Sequence, residues 1–433
     1  MFLIVIRMII IYIYILMRTI IICKIFWGYS MRKSILGLAI TAALFSGAAM
    51  AASIEDKIDM LQDEIDQLKA QAANAEKNSG GLKSFSANST LGGYGELHYN
   101  NFSGDVPAGQ KRAKDEIDFH RFVLFFGHRF NDWISFKSEL ELEHSNTENE
   151  GQVELEQAYL DFNFSEKMNA KAGVFLIPIG FLNETHEPPT FFGVERNTIE
   201  TRILPSTWWE AGASLYGELA PGWKYQTGLT SSLAAANFAN FATKGIREGR
   251  RNVSEAPAEN IALHGRLDYS GMPGLTVGAS VVTGKTGQDN DALNGADARL
   301  TLWDMHARYN VDKLDLRALY AQGHLSDAQQ VNDAFGYETA NRFYGWYMEA
   351  AYHVWKNGDH DFAPFIRYEK WDTQADIPNN VVRSEESENN IWTIGANYWP
   401  HPQVVLKVDY QKYDKPDGDK GDKRFNLGLG YMF

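Results

Sequence analysis

The sequence predicts an all-β transmembrane barrel of about 16 antiparallel strands, preceded by a short N-terminal coiled-coil helix. Three observations carry that expectation. The chain ends on Phe425, Leu427, Leu429, Tyr431 and Phe433, alternating with Arg424, Asn426, Gly428, Gly430 and Met432. Successive strand residues face opposite ways, so this is a strand with one greasy face and one mostly small or polar face. A complete export signal lies near the front of the chain. Between the two, one design repeats: about ten alternating residues, a short turn, a second strand, then a longer polar loop.

The export signal starts at residue 31. Met31, Arg32 and Lys33 form its basic segment, Ile35 to Phe45 its apolar core, and Ala49-Met50-Ala51 the small-x-small cleavage pattern, which places the signal at 31–51 and the mature start at Ala52. Residues 1–30 are broken by Arg7, Arg18 and Lys24 into apolar runs too short to span a bilayer. They read as translation assigned from too early a start, with an inner-membrane anchor as the alternative. The leader carries five cations and no acid, so its removal takes the formal net charge from −14 to −19. That balance argues against nucleic acid, which needs a basic face. Cys23, the one cysteine, falls in the removed part, leaving a mature chain without thiol or disulfide chemistry.

Residues 52–77 change period. Ile54, Ile58, Leu61, Ile65 and Leu68 are spaced 4, 3, 4, 3 among charged residues, a heptad seam. A single amphipathic helix lying on another surface has the same pattern. With no neighbouring domain to cover the stripe, a periplasmic oligomerisation helix is the expected outcome. Residues 78–88 form the linker, and 89–433 the barrel.

The first strand places Leu91, Leu97 and Tyr99 outward and Tyr94, Glu96 and His98 opposite. In the third, Ile134, Phe136, Leu140 and Leu142 share one face, with Lys137, Glu139, Glu141 and Glu143 on the other. Thirteen further segments follow, the last being the terminal strand. The barrel region gives roughly 22 residues per strand and connection, against the 9 to 11 that a tilted strand needs. A closed barrel satisfies its backbone in lipid without membrane helices. Short turns, such as Asn131-Asp132 and Ala220-Pro221-Gly222, are expected in the periplasm. Long connections are expected to face outside or fold inward.

No catalytic signature emerges. His186-Glu187-Pro188-Pro189-Thr190 begins like a zinc-protease helix, but it lacks the second histidine and its prolines forbid the helix. No cofactor and no metal ligand are assigned. The expected function is passive diffusion of small hydrophilic or charged solutes, with a barrel-anchored enzyme or adhesin as the alternative. Glutamates of the third and fourth strands, including Glu139 and Glu141, oppose basic residues elsewhere, among them Arg367 and Lys407. Such walls either set a transverse field across the pore or pair with one another. The segment 177–202, rich in proline, aromatics and alternating charge, is the expected constriction. Candidate channel-lining residues are Glu139, Glu141, Glu184, Glu187, Glu195, Arg196, Arg202, Arg367, Glu369 and Lys407. Lys244, Arg247, Arg250 and Arg251 form a second, basic loop able to gather anions or contact lipopolysaccharide.

Three segments resemble trimeric porins of the phosphate-selective porin O and P superfamily: Gly173–Gly180 (GVFLIPIG), His186–Asn197 (HEPPTFFGVERN) and Pro364–Glu369 (PFIRYE). The resemblance implies a sixteen-stranded barrel in the bacterial outer membrane, a homotrimer, and a periplasmic N-terminal extension. The arginine ladder and lysine cluster of phosphate-selective members do not map residue by residue here. The acidic third and fourth strands point away from a dedicated phosphate channel.

Overall fold

A computed structural model describes residues 88–104, 114–147, 151–379, 381–414 and 420–433. The expected extension, signal, heptad helix and nearly all of the linker lie outside the described residues. The remainder is a closed antiparallel barrel. Its strands are β1 (Ser89–Gly104), β2 (Glu116–Arg129), β3 (Ile134–Glu143), β4 (Val153–Asn163), β5 (Asn169–Leu176), β6 (Trp209–Ala220), β7 (Trp223–Ser231), β8 (Ile261–Met272) and β9 (Leu275–Lys285). They continue as β10 (Arg299–Val311), β11 (Leu314–Leu325), β12 (Arg342–Tyr352), β13 (Trp355–Asn357), β14 (His360–Asp376), β15 (Glu388–His401), β16 (Val404–Asp414) and β17 (Lys420–Met432). The β12 and β13 segments both pair with β14, as two parts of one interrupted stave. Seventeen segments therefore make sixteen staves.

Closure falls to the terminal strand. β17 pairs with β1 from Tyr94↔Met432 to Gly104↔Asp422. Phe433 adds reciprocal backbone bonds to Gly93, with N–H···O separations of 2.8 and 3.0 Å. Among the described residues no sheet edge is left open, the arrangement that lets ladder groups find partners without water.

Alternation sorts the residues as the sequence suggests. Leu406, Ile394, Leu427 and Met305 are exposed on the outer face, where a hydrocarbon surface would meet them. Glu96, His98, Asp304, Arg367 and Asp409 are buried on the lumen side. Aromatic rings form two outer bands. Trp133 packs with Phe162 and Phe164, and Trp223 with Tyr269, at the short-turn end. Trp303, Tyr320 and Tyr344 form a cluster toward the long-loop end, as do Trp346, Tyr368 and Trp392. The staves run longer than the hydrophobic alternation alone predicts, as with β14, expected over 362–371. Pairing persists beyond the apolar belt because polar residues also satisfy ladder bonds.

A large apolar cluster fills one side of the barrel at the long-loop end. Ile177, Ile179, Ile199, Ile203 and Trp208 meet Phe238 and Phe241 from the next long loop, Val331 from the helix Ala328–Phe335, and Phe343, Tyr347 and Trp371 from the wall. The inside of this barrel is partly a packed protein core.

Candidate functional site: the inward loop and the charged lumen

The connection between β5 and β6, residues 177–208, folds into the lumen. Its neck is tied by Ile177 N–H donating to the Trp208 carbonyl at 2.9 Å. The Asn183 amide donates to the carbonyls of Ile177 and Trp208, and its oxygen accepts from Trp208 N–H. Within the loop, Glu200 is the hub. Its carboxylate accepts from the N–H groups of Phe181 and Leu182 at 2.5 and 2.7 Å, the Asn197 amide at 2.9 Å and the Tyr347 hydroxyl at 3.1 Å. Burial pushes this carboxyl above its ordinary value, against the pull of those donors.

Staves around the barrel then hold the loop. Four consecutive carbonyls each receive a wall donor. Thr190 accepts from Arg317 at 3.1 Å, Phe191 from Asn397 at 3.2 Å, Phe192 from Arg367 at 3.1 Å and Gly193 from Lys407 at 2.8 Å. Val194 N–H donates to Asp409 at 2.6 Å, and the Thr198 N–H and hydroxyl both donate to Glu369 at 2.6 Å. A prolyl-rich loop cannot satisfy its own backbone as a helix, so the wall does it instead. The small lumen face of the terminal strand acquires its meaning here. A Cβ on Gly430 would lie 2.3 Å from Pro188 Cβ, so glycine is what lets the loop seat on β17.

The candidate lining residues therefore divide. Glu139, Glu141, Arg367, Glu369 and Lys407 are buried on the lumen wall, and the last three are committed to the loop. Arg202 donates to the Thr243 carbonyl and stacks on Trp371 at 5.1 Å. Glu184, Glu187, Glu195 and Arg196 stay half-exposed on the loop itself. Lys171 lies 3.5 Å from Glu184. Glu195 accepts from His98 at 3.1 Å and Asn100 at 3.0 Å. Burial would raise the Glu195 carboxyl, but His98 and Asn100 outweigh it and hold the group well below the usual carboxylate range.

Pairing and exposure divide the charged residues of the walls and loops. The basic residues on the staves mostly pair: Arg121 with Glu96 at 2.7 Å, Arg266 with Asp268 at 2.7 Å, Arg317 with Asp315 at 2.9 Å, and Arg367 with Glu369 at 2.8 Å. Further basic residues come from the loops. Arg196, Arg247, Arg250 and Arg251 are half-exposed, and Arg247 and Arg250 act on Glu154 of β4. Burial, then the neighbouring Arg250, Arg196 and Arg121, pull Arg247 below the ordinary guanidinium range.

Asn397, Asp409, Glu349 and Asp304 were not singled out by sequence reasoning. Each sits at an inward position of the two-residue alternation, and that parity was the available signal. Which partner each would meet, a loop atom for Asn397, Asp409 and Asp304 and the guanidinium of Arg367 for Glu349, depends on packing alone.

No family model matches the chain. A protein of Aquifex aeolicus (strain VF5), described only as uncharacterized, is 33% identical over 359 residues, covering 79% of this chain and 80% of that protein. Three solved structures share the architecture. OmpF of Salmonella typhi, in complex with daunomycin, has a TM-score of 0.54 at 15% identity over 80% of this chain and 97% of its own. The outer membrane channel DcaP of Acinetobacter baumannii has 0.52 at 16%, with the same coverage. An anion-selective porin from Comamonas acidovorans has 0.50 at 11%, over 80% of this chain and 99% of its own. At such identities the likeness shows the fold, a sixteen-stranded barrel of outer-membrane type. The chain belongs to one family with the Aquifex aeolicus protein.

Proposed function

We propose that this barrel is an outer-membrane diffusion channel for small hydrophilic or charged solutes, not an enzyme. One observation carries the reading. The inward loop closes one side of the lumen by apolar packing, and on the other side half-exposed ions of both signs face one another. Ionised groups along a water-filled path set which solutes pass. Glu143 and Glu154 on the wall oppose Arg196, Arg247 and Arg250 on the loops, so a polar solute would cross a transverse field. The short turns and the heptad segment would lie in the periplasm, and the long loops outside against lipopolysaccharide. Assembly as a homotrimer and the finer likeness to porins O and P rest on the sequence segments quoted above.

The test is single-channel recording of the purified protein in a planar bilayer under a salt gradient. Stepwise conductance with a reversal potential displaced from zero is the expected result. Absence of conductance from folded protein overturns the channel reading and favours an enzyme or adhesin held by the barrel.

A further inference from the structure

His186 does not sit on a helix. The loop carries its ring against β3 and β4, where Nε2 lies 3.4 Å from Glu139 Oε1 and 3.6 Å from Glu156 Oε2. The three residues are 3%, 1% and 0% exposed, and their donor atoms lie within 4.8 Å of one another. Nδ1 faces the Asn183 carbonyl at 3.2 Å, which assigns the ring proton to Nδ1 and leaves a lone pair on Nε2.

That arrangement aims a lone pair at two carboxylates. Among the described residues, Nε2 and Glu139 Oε1 have no hydrogen-bond partner, and Glu156 has none but the neighbouring Glu141 carboxylate. Buried polar groups left in this condition are costly. A protonated Nε2 would draw a carboxylate to about 2.7–2.9 Å, shorter than either separation. Ligands of a four-coordinate ion with bonds of about 2.0–2.2 Å stand about 3.4 Å apart. The outer contacts fit as well. A ligating histidine ordinarily donates its other N–H to a carbonyl, as Nδ1 does here. Glu139 is oriented by the Gln157 amide, which donates to its second oxygen at 2.7 Å.

We propose that His186, Glu139 and Glu156 bind a divalent first-row transition cation, and that the ion clamps the inward loop to β3 and β4. Zinc suits the set best: one imidazole and two carboxylates match its nitrogen and oxygen preferences. Calcium and magnesium favour six or more oxygens. The fourth position falls to water or to the Tyr94 hydroxyl, which is buried without a hydrogen bond beside the His186 ring. This site is independent of the channel reading.

The experiment uses the full-length chain, extracted in detergent, stripped with EDTA and dialysed against Zn2+, with metal measured by mass spectrometry. One zinc per chain is expected. H186Q and E156Q should each weaken binding by more than about tenfold, since even outer partners are worth that much. The exposed-loop variant E259Q should leave binding unchanged. Co2+ provides a test that needs no variant, because a four-coordinate site gives intense visible ligand-field bands. Zinc uptake equal in wild type and both ligand variants overturns the proposal, as does a Co2+ spectrum of the six-coordinate aquo type.

Discussion

The two sides of the lumen are built from the same loop and closed by different physics. Toward β10–β14, Ile199 and Ile203 press on the wall so closely that a Cβ on Gly345 would come within 3.0 Å of both. Phe241, Phe343 and Trp371 complete that packing. Toward β1–β4, Glu96, Glu139, Glu141 and Glu156 are buried with Arg121, and the facing groups are Arg196 and the arginines of the next loop. Apolar contact is non-directional and fills volume. Charge is directional, costly to bury and unable to fill space without partners. A closed side and an ion-lined side follow from that contrast.

The largest expected effects come from breaking the closed side. Phe343→Ala removes a fully buried ring and should cost about 3–5 kcal/mol, read as a lower unfolding midpoint together with higher single-channel conductance. An unchanged midpoint would mean that the apolar cluster does not hold the loop. Arg367→Met strips the partner from buried Glu349 and Glu369, and should cost about 3–5 kcal/mol. The triple variant E349Q/R367M/E369Q should recover much of it, and failure to recover would assign the loss to packing instead.

Gly430→Val tests the seating of the loop on β17. Overpacking against Pro188 should cost about 1–3 kcal/mol and should add conductance noise as the loop lifts; a silent variant would show that the contact yields freely. On the ion-lined side, R247Q/R250Q should move the reversal potential toward cations and, because Arg247 and Arg250 also donate to the Ser206 and Thr207 carbonyls, should cost about 1–3 kcal/mol of stability. No displacement would remove those arginines from the conduction path.

The smallest effect is a pH dependence. Glu195 has a depressed folded value, so its contribution is complete above the ordinary glutamate pKa of about 4.3. It is lost as pH falls from there through the folded value. Acid titration should therefore weaken wild-type protein more than E195Q. Parallel titration curves for the two proteins would contradict this.

Much of the barrel was legible because alternation is a local property. Leu140 and Glu139 are adjacent, and their chemistry alone assigns them to opposite faces. The closing strand could be read for the same reason, and so could the inward loop, whose prolines and charges suit neither helix nor free linker. The anchoring pattern was not legible. Arg367 and Lys407 looked like pore lining, since a charged residue on an inward face has no local mark that separates solvent from a loop carbonyl. The surroundings of His186 were not legible either, because a helical spacing is local and its neighbours are not. Glu139 and Glu156 reach it from two strands.

The sequence by itself determined the closed sheet, the outward apolar surface, the polar lumen and the segment that enters it. All follow from a two-residue period and backbone satisfaction in lipid. Tertiary structure alone decided which charges are buried anchors and which stay half-exposed. It also decided why Gly430 has no side chain and which carboxylates surround His186. Those outcomes depend on register between strands and on a loop packed across the barrel, distances that close only when residues far apart in the chain are brought together.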